Sequence, residues 1–190
     1  MKFSPLAIQG AWLAESSVWP DERGFFREWF KRDDISNLTG IDFQVQQANF
    51  SISNKNVIRG IHYSLAPEGQ AKWITCVSGS IIDVVVDLRP KSPTFKKVEY
   101  IELESGDGKA LLIGSGLGHG FLSREDDSGI AYLLSSPYAP EYEFDISPTD
   151  QELAIKWQKD NGRDLNFVMS RKDSSAPSLN SRLKEGKLPK

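Results

Sequence analysis

From Lys72 to Arg89 the chain reads K-W-I-T-C-V-S-G-S-I-I-D-V-V-V-D-L-R, two β-branched runs split by S-G-S. Branched and aromatic side chains of this density suit a pleated strand far better than a helix. In the second run Ile82, Val84, Val86 and Leu88 share one face, and Asp83, Val85 and Asp87 the other. That is the period of two that a strand imposes, with the second face polar at its ends. A chain with such a stretch has to bury a sheet, and Ser78-Gly79-Ser80 predicts a hairpin between the two strands. Val98–Leu103 and Ala110–Ile113 repeat the pattern around the turn cluster E-S-G-D-G-K, and Ile130–Ser135 adds a strand closed by Pro137. Many short strands punctuated by Gly, Pro, Asn and Asp predict an all-β sandwich or jelly roll, closed enough to protect its edges. Helix is minor, with a turn or two expected at Arg32–Leu38 and again at Gln151–Trp157.

Bulk properties narrow the class further. A length of 190 residues with 39% hydrophobic content predicts one domain with a full core. We assign it residues 1–173, followed by a polar tail, 174–190, that contains Pro177 and Pro189 and is expected to wrap the surface or fray. A formal net charge of -3 and a pI near 5.5 give no reason to expect a nucleic-acid partner. The single Cys76 cannot form an intrachain disulfide or a multi-thiolate metal site. The richest apolar stretch is broken by Asp83 and Asp87, so no membrane span is expected, and the N-terminus lacks a signal-peptide pattern. The expected location is cytoplasmic.

The chain has only two histidines, each framed by glycine: R-G-I-H-Y around His62 and G-L-G-H-G-F around His119. Imidazole takes and returns a proton near neutrality, so a chain this sparing with histidine points to proton chemistry. A buried histidine that merely satisfies its hydrogen bonds is the competing reading. Arg59 stands three residues before His62, and Lys72 opens the long β segment. Brought together on neighbouring strands, these cations could hold an anionic substrate and stabilise a developing enolate. In D-E-R-G-F-F-R-E, Arg23 could clamp a phosphate, although charge alternation of this kind also describes a solvated edge strand. No P-loop and no G-x-G-x-x-G after a strand is present. Ser64 stands where an H-x-H pair would need its second histidine, and we expect neither metal nor organic cofactor.

Read in order, these segments resemble the dTDP-4-dehydrorhamnose 3,5-epimerase family. The matching motifs are D-E-R-G-F-F from Asp21, V-I-R-G-I-H-Y from Val57, Q-A-K-W-I-T-C-V-S-G from Gln70 and D-V-V-V-D-L-R-P-K-S-P-T-F from Asp83. G-L-G-H-G-F from Gly116, A-Y-L-L-S-S-P-Y-A-P-E-Y-E from Ala131 and S-R-K-D-S-S-A-P-S-L from Ser170 complete the series. The resemblance implies a cupin-type jelly roll that forms a homodimer and acts on a dTDP-4-keto-6-deoxy sugar, inverting carbon 3, carbon 5 or both without a cofactor. It casts His62 as general base, Asp173 as its orienting carboxylate, Lys72 as the enolate-stabilising cation and Tyr132 as the acid on the opposite face. It places Arg23, Glu28, Gln47, Asn49, Arg59, His119, Glu143 and Lys172 against the nucleotide-sugar, and Tyr138 on the thymine ring. Each of these polar residues also has an ordinary surface role open to it.

The pattern departs from the family at Gly114, Leu117 and Gly118, and at Phe50, where many relatives carry histidine. Such departures leave a single-site 3- or 5-epimerase or a ketoisomerase open beside double inversion. A sugar-binding jelly roll without turnover is the reading from another class.

Overall fold

The computed structural model describes residues 1–157 and 166–190. Two antiparallel sheets face each other. One has six strands, in the order β1 (Lys2–Pro5), β2 (Ala11–Glu15), β10 (Lys109–Ile113), β7 (Lys72–Ser78), β12 (Ser128–Leu134) and β5 (Gln47–Ser53). The other has five: β13 (Glu143–Asp145), β6 (Ile58–Ser64), β11 (Leu117–Ser123), β8 (Ser80–Asp87) and β9 (Val98–Glu104). A separate exposed hairpin pairs β3 (Trp19–Asp21) with β4 (Gly24–Phe26). Among the described residues the fold is completed by three short α-helices, α1 (Arg32–Thr39), α2 (Arg171–Ser174) and α3 (Leu179–Lys184), and a 3-10 turn at Pro140–Tyr142. This is a jelly-roll sandwich of the cupin type, all-β with little helix.

The alternation read in Ile81–Leu88 decides where the core lies. Ile81 and Val85 pack between the sheets against Ile74, Leu111, Phe121 and Ile130. Ile82, Val84, Val86 and Leu88 point the other way, into a second cluster closed by Ile146, Trp157, Leu179 and Leu188. Both faces of β8 are therefore covered, which is why its sequence is almost continuously apolar. A third cluster lies outside the six-stranded sheet, where Ile35 of α1 and Phe43 cover Trp73, Leu112 and Leu133. Its neighbouring area is open: Phe50, Ile52 and Val77 are exposed beside a groove of ≈ 370 Å³ lined by Phe25, Arg27 and Trp29.

Two local expectations are corrected, and of the two readings of the C-terminal segment one is excluded. The S-G-S segment does not close a hairpin, because β7 and β8 belong to different sheets. Only Gly79 separates them, fewer residues than the two-residue hairpin loop needs, and its φ of +63° turns the chain from one sheet to the other. Ser78 pairs with Gly129 and Ser80 with Glu104. Gln151–Trp157 forms turns instead of a helix; Asp150 accepts the backbone N–H groups of Glu152 and Leu153 and, from the C-terminal segment, that of Leu179. Residues 174–190 do not fray, since α3 buries Leu179 and the following segment buries Leu188, both within the second cluster.

Candidate active site

Glycine sets how closely the two histidine-bearing strands approach. His62 of β6 lies directly opposite His119 of β11. Gly60 has φ +121°, and a Cβ there would sit 2.5 Å from Cα of Gly120 and 2.7 Å from the His119 carbonyl oxygen. A Cβ on Gly118 would meet Ile61 and Leu88 at 2.7 and 2.8 Å. The glycines that frame both imidazoles are thus spacers, and without them the strands would be forced apart.

His62 is then held from a third direction. Ser170 caps α2 by accepting the backbone N–H of Asp173, and its hydroxyl donates to Oδ2 of that carboxylate at 2.9 Å. The other oxygen, Oδ1, accepts from Nε2 of His62 at 2.7 Å. Burial pushes the Asp173 carboxyl up, but the His62 hydrogen bond, the His62 charge and Ser170 outweigh it and hold it below the usual carboxylate range. With Nε2–H committed to an ionised Asp173, the Nδ1 lone pair of His62 is the free base.

The facing wall comes from the six-stranded sheet. Lys72 and Tyr132 point between the sheets, and Asn49 stands opposite Tyr132 in the β12–β5 register. Lys72 is buried, and desolvation lowers its ammonium pKa against the opposing pull of Glu143, Asp83 and Asp145. Tyr132 is raised by burial, with Arg59 and Asn49 drawing it back towards ionisation. Such a phenol keeps its proton at neutral pH yet has groups beside it to receive a transient phenolate.

Two hollows meet at His62 and Lys172. One, of ≈ 140 Å³, is lined by Gln47, Asn49, Lys72, Tyr132, Tyr138 and Glu143 as well. The other, of ≈ 400 Å³, runs past Arg59, Val168, Ser170 and Asp173. The structure therefore gathers His62, Asp173, Lys72 and Tyr132 with Gln47, Asn49, Arg59, Tyr138, Glu143 and Lys172. His119 sits behind this group, buried, with Nε2 donating to Oδ2 of Asp83 at 2.9 Å. Arg23 and Glu28 are not brought in. Arg23 projects from the β3–β4 turn and pairs with Asp21, its side chain 84% exposed. Glu28 lines a different hollow with Met1, Lys2 and Lys31.

Sequence reasoning missed three polar neighbours. Asp145 lies opposite His62 in the β13–β6 register, with Oδ1 3.7 Å from Nε2 of His62 and 2.9 Å from Nζ of Lys172. Its signal was available, because Glu143 and Asp145 are two apart on one strand and share a face. Gln70, buried, donates to Glu143 at 3.2 Å, and Asp83 holds His119. Asp83 was visible as an acid in the middle of an apolar strand, a position that demands a partner. The departures read in the sequence do not line the hollows: Phe50 faces outward on the open side, and Gly118 lies beneath Ile61 and Leu88.

The sequence and the fold have counterparts among known proteins. The sequence model of the dTDP-4-dehydrorhamnose 3,5-epimerase family matches residues 5–181. A dTDP-4-dehydrorhamnose 3,5-epimerase of Mycolicibacterium smegmatis is 41% identical over 184 residues, covering 97% of this chain and 89% of that protein. The solved structure of a Mycobacterium tuberculosis epimerase superposes with a TM-score of 0.95 at 38% identity, covering 100% of this chain and 94% of the other. A 3'-monoepimerase from Streptomyces bikiniensis, solved in complex with dTDP-quinovose, gives a TM-score of 0.91 at 40% identity, with coverage of 97% and 91%. Fold and sequence agree, and the chain belongs to the dTDP-4-dehydrorhamnose 3,5-epimerase family.

Proposed function

We propose that the protein inverts carbon 3, carbon 5 or both of a dTDP-4-keto-6-deoxyhexose, without a cofactor, in the synthesis of a deoxysugar of the dTDP-L-rhamnose type. The observation that carries this reading is a carboxylate-held imidazole facing a phenol across one hollow, with a buried ammonium in the same wall. The 4-keto group acidifies the adjacent C–H bonds. Nδ1 of His62 takes that proton, and the C–H electron pair moves into an enolate whose oxygen is stabilised by Lys72. The Tyr132 O–H returns a proton to the opposite face, which inverts the centre; solvent exchange then resets base and acid. Gln47, Asn49, Arg59, Glu143 and Lys172 hold the nucleotide-sugar, and exposed Tyr138 stacks on thymine; His119, expected among these contacts, is buried against Asp83 behind the hollows.

Carbon-bound deuterium and epimerised product, followed together by proton NMR in D2O, test this. His62→Ala should abolish both exchange and inversion, since general acid–base groups contribute about 10²–10⁴-fold. Tyr132→Phe should keep exchange with retention while inversion collapses. Inversion at the parental rate in Tyr132→Phe would remove tyrosine from the acid role. Inversion at a single centre is the second reading, favoured by the 3'-monoepimerase being about as similar as the 3,5-epimerase. Time courses at both carbons distinguish the two.

The working unit we propose is a cytoplasmic homodimer. The open face of the six-stranded sheet, with Phe50, Ile52 and Val77 beside the aromatic groove, is the apolar surface a second copy would cover. The exposed hairpin with Arg23, and the adjoining Glu28, would then serve the partner's pocket, since both lie away from their own. No helix among the described residues is long and apolar enough to cross a membrane.

A further inference from the structure

Asp145 has an unusual set of neighbours for a buried carboxylate. Its side chain is 12% exposed, on the strand edge next to His62. Among the described residues, Lys172 at 2.9 Å and His62 at 3.7 Å are the cationic side chains within 4 Å of its carboxylate, while Arg182 of α3 donates to its backbone carbonyl at 3.0 Å. A carboxylate removed from water requires a positive partner. Lys172 supplies one, and Asp145 holds that ammonium above its ordinary lysine range despite burial acting the other way. Yet the Lys172 side chain is 59% exposed and lines both hollows, so it is free to turn towards an anion entering either.

We infer that Asp145 is a positioning residue for His62 whose charge is gated by Lys172, so that binding the substrate's diphosphate strengthens the base. The inference rests on the nucleotide-sugar reading above. In the ligand-free protein Lys172 neutralises Asp145. When an anionic ligand draws Lys172 away, the imidazolium of His62 is the cation that remains within 4 Å of the Asp145 carboxylate among the described residues, with buried Lys72 acting from farther off. That imidazolium is the species formed when His62 accepts the substrate proton, so the energy of phosphate binding favours the product of the first step. The proton passes from carbon to Nδ1 and no other atom changes hands.

The remaining charged and titratable groups around His62 do not duplicate this role. Asp173 of α2 is fixed by Ser170 and bonds His62 directly. His119 of β11 is bound to Asp83 of β8. Glu143 of β13 is bonded to Gln70, and Arg59 of β6 to Ser53 and the Ile52 carbonyl. Lys72 of β7 and Tyr132 of β12 stand in the opposite wall. Among the described residues, only Lys172 couples an exposed charge to a carboxylate beside the base.

With two histidines in the chain, the imidazole Cε1–H resonances can be assigned by single substitution and titrated by NMR. In the parental protein, saturating dTDP should move the His62 midpoint to higher pH by about one unit, the scale expected of a nearby opposite charge. In Asp145→Asn that movement should shrink to well under half. Lys172→Met, a change at an exposed side chain, should raise the midpoint already in the ligand-free protein, and Asp145→Asn added to it should cancel the rise. In kinetics, Asp145→Asn should move the acid limb of kcat to lower pH and leave that of kcat/KM in place, because the two report bound and free enzyme. Equal dTDP-induced movement with and without Asp145, or no change in Lys172→Met, overturns the inference while leaving the epimerase reading intact. Failure of dTDP to bind would remove both.

Discussion

Lys72 shows how a single position trades stability for chemistry. Its ammonium is buried between the sheets, and desolvation lowers its pKa against the pull of three carboxylates. A base whose folded pKa is depressed costs stability at every pH where it must carry charge in the fold, and the cost is relieved as pH rises through that folded pKa. Lys72→Met removes the cost with a side chain of similar length. It should leave the melting temperature unchanged or raised at neutral pH, while kcat falls by about 10²–10³ through loss of enolate stabilisation. A scanning melt and a steady-state assay on one sample check both halves; a destabilised protein with normal kcat would contradict the assignment. Residues of this kind were legible in part. His62 and Lys72 stood out as rare or misplaced polar groups, whereas Asp173 is far from His62 in the chain and only the resemblance paired them. Asp145 went unread although its spacing from Glu143 implied a shared face.

Among the elements, β8 was the most readable and its connection to β7 the least. Alternation of side chains is a local property, so the two faces of Ile81–Leu88 followed from spacing. Which strand pairs with which is not local. S-G-S serves a hairpin and a sheet-to-sheet corner equally well until Gly129 and Glu104 claim the residues on either side. At the end of β8, Asp87 anchors the chain leaving the sheet. It is fully buried and accepts from Arg89, Ser92 and Thr94. Burial raises this carboxyl, but those donors prevail and bring it down to about 2. Its stabilising contribution is present above the unfolded carboxylate value and is lost as pH falls from about 4 towards 2. Asp87→Asn should therefore cost about 2 kcal/mol at pH 7 and show a flatter acid unfolding profile, read by urea denaturation at several pH values. A mutant that loses stability in parallel with the parent across that window would refute the anchor.

For the whole molecule, the decisive prediction concerns the dimer. Arg23 lies in solvent on a hairpin remote from its own pocket, so its proposed service is to the partner. Arg23→Ala alone should raise KM, since charge-assisted contacts contribute about 1.5–3 kcal/mol. Mixing Arg23→Ala with inactive His62→Ala and allowing subunits to exchange should restore normal KM at about a quarter of the sites, because mixed dimers carry one intact pocket. No restoration would mean that each chain uses its own Arg23 or none. Overall architecture was legible because an all-β pattern in one chain has few closed solutions, while the packed C-terminal segment was not: Leu179 and Leu188 are isolated apolar residues in a polar stretch, too sparse to announce a cluster. The glycine-spaced union of β6 and β11 has a further consequence, for how such enzymes diversify. A wall where one added methyl collides with backbone at 2.5 Å leaves little room for accepted substitutions. The facing wall, built from Gln47, Asn49 and Tyr138 on a sheet edge and a surface loop, carries no such restriction. Relatives that handle different sugars should differ at those three positions, with the glycine-spaced wall around His62 inherited nearly unaltered.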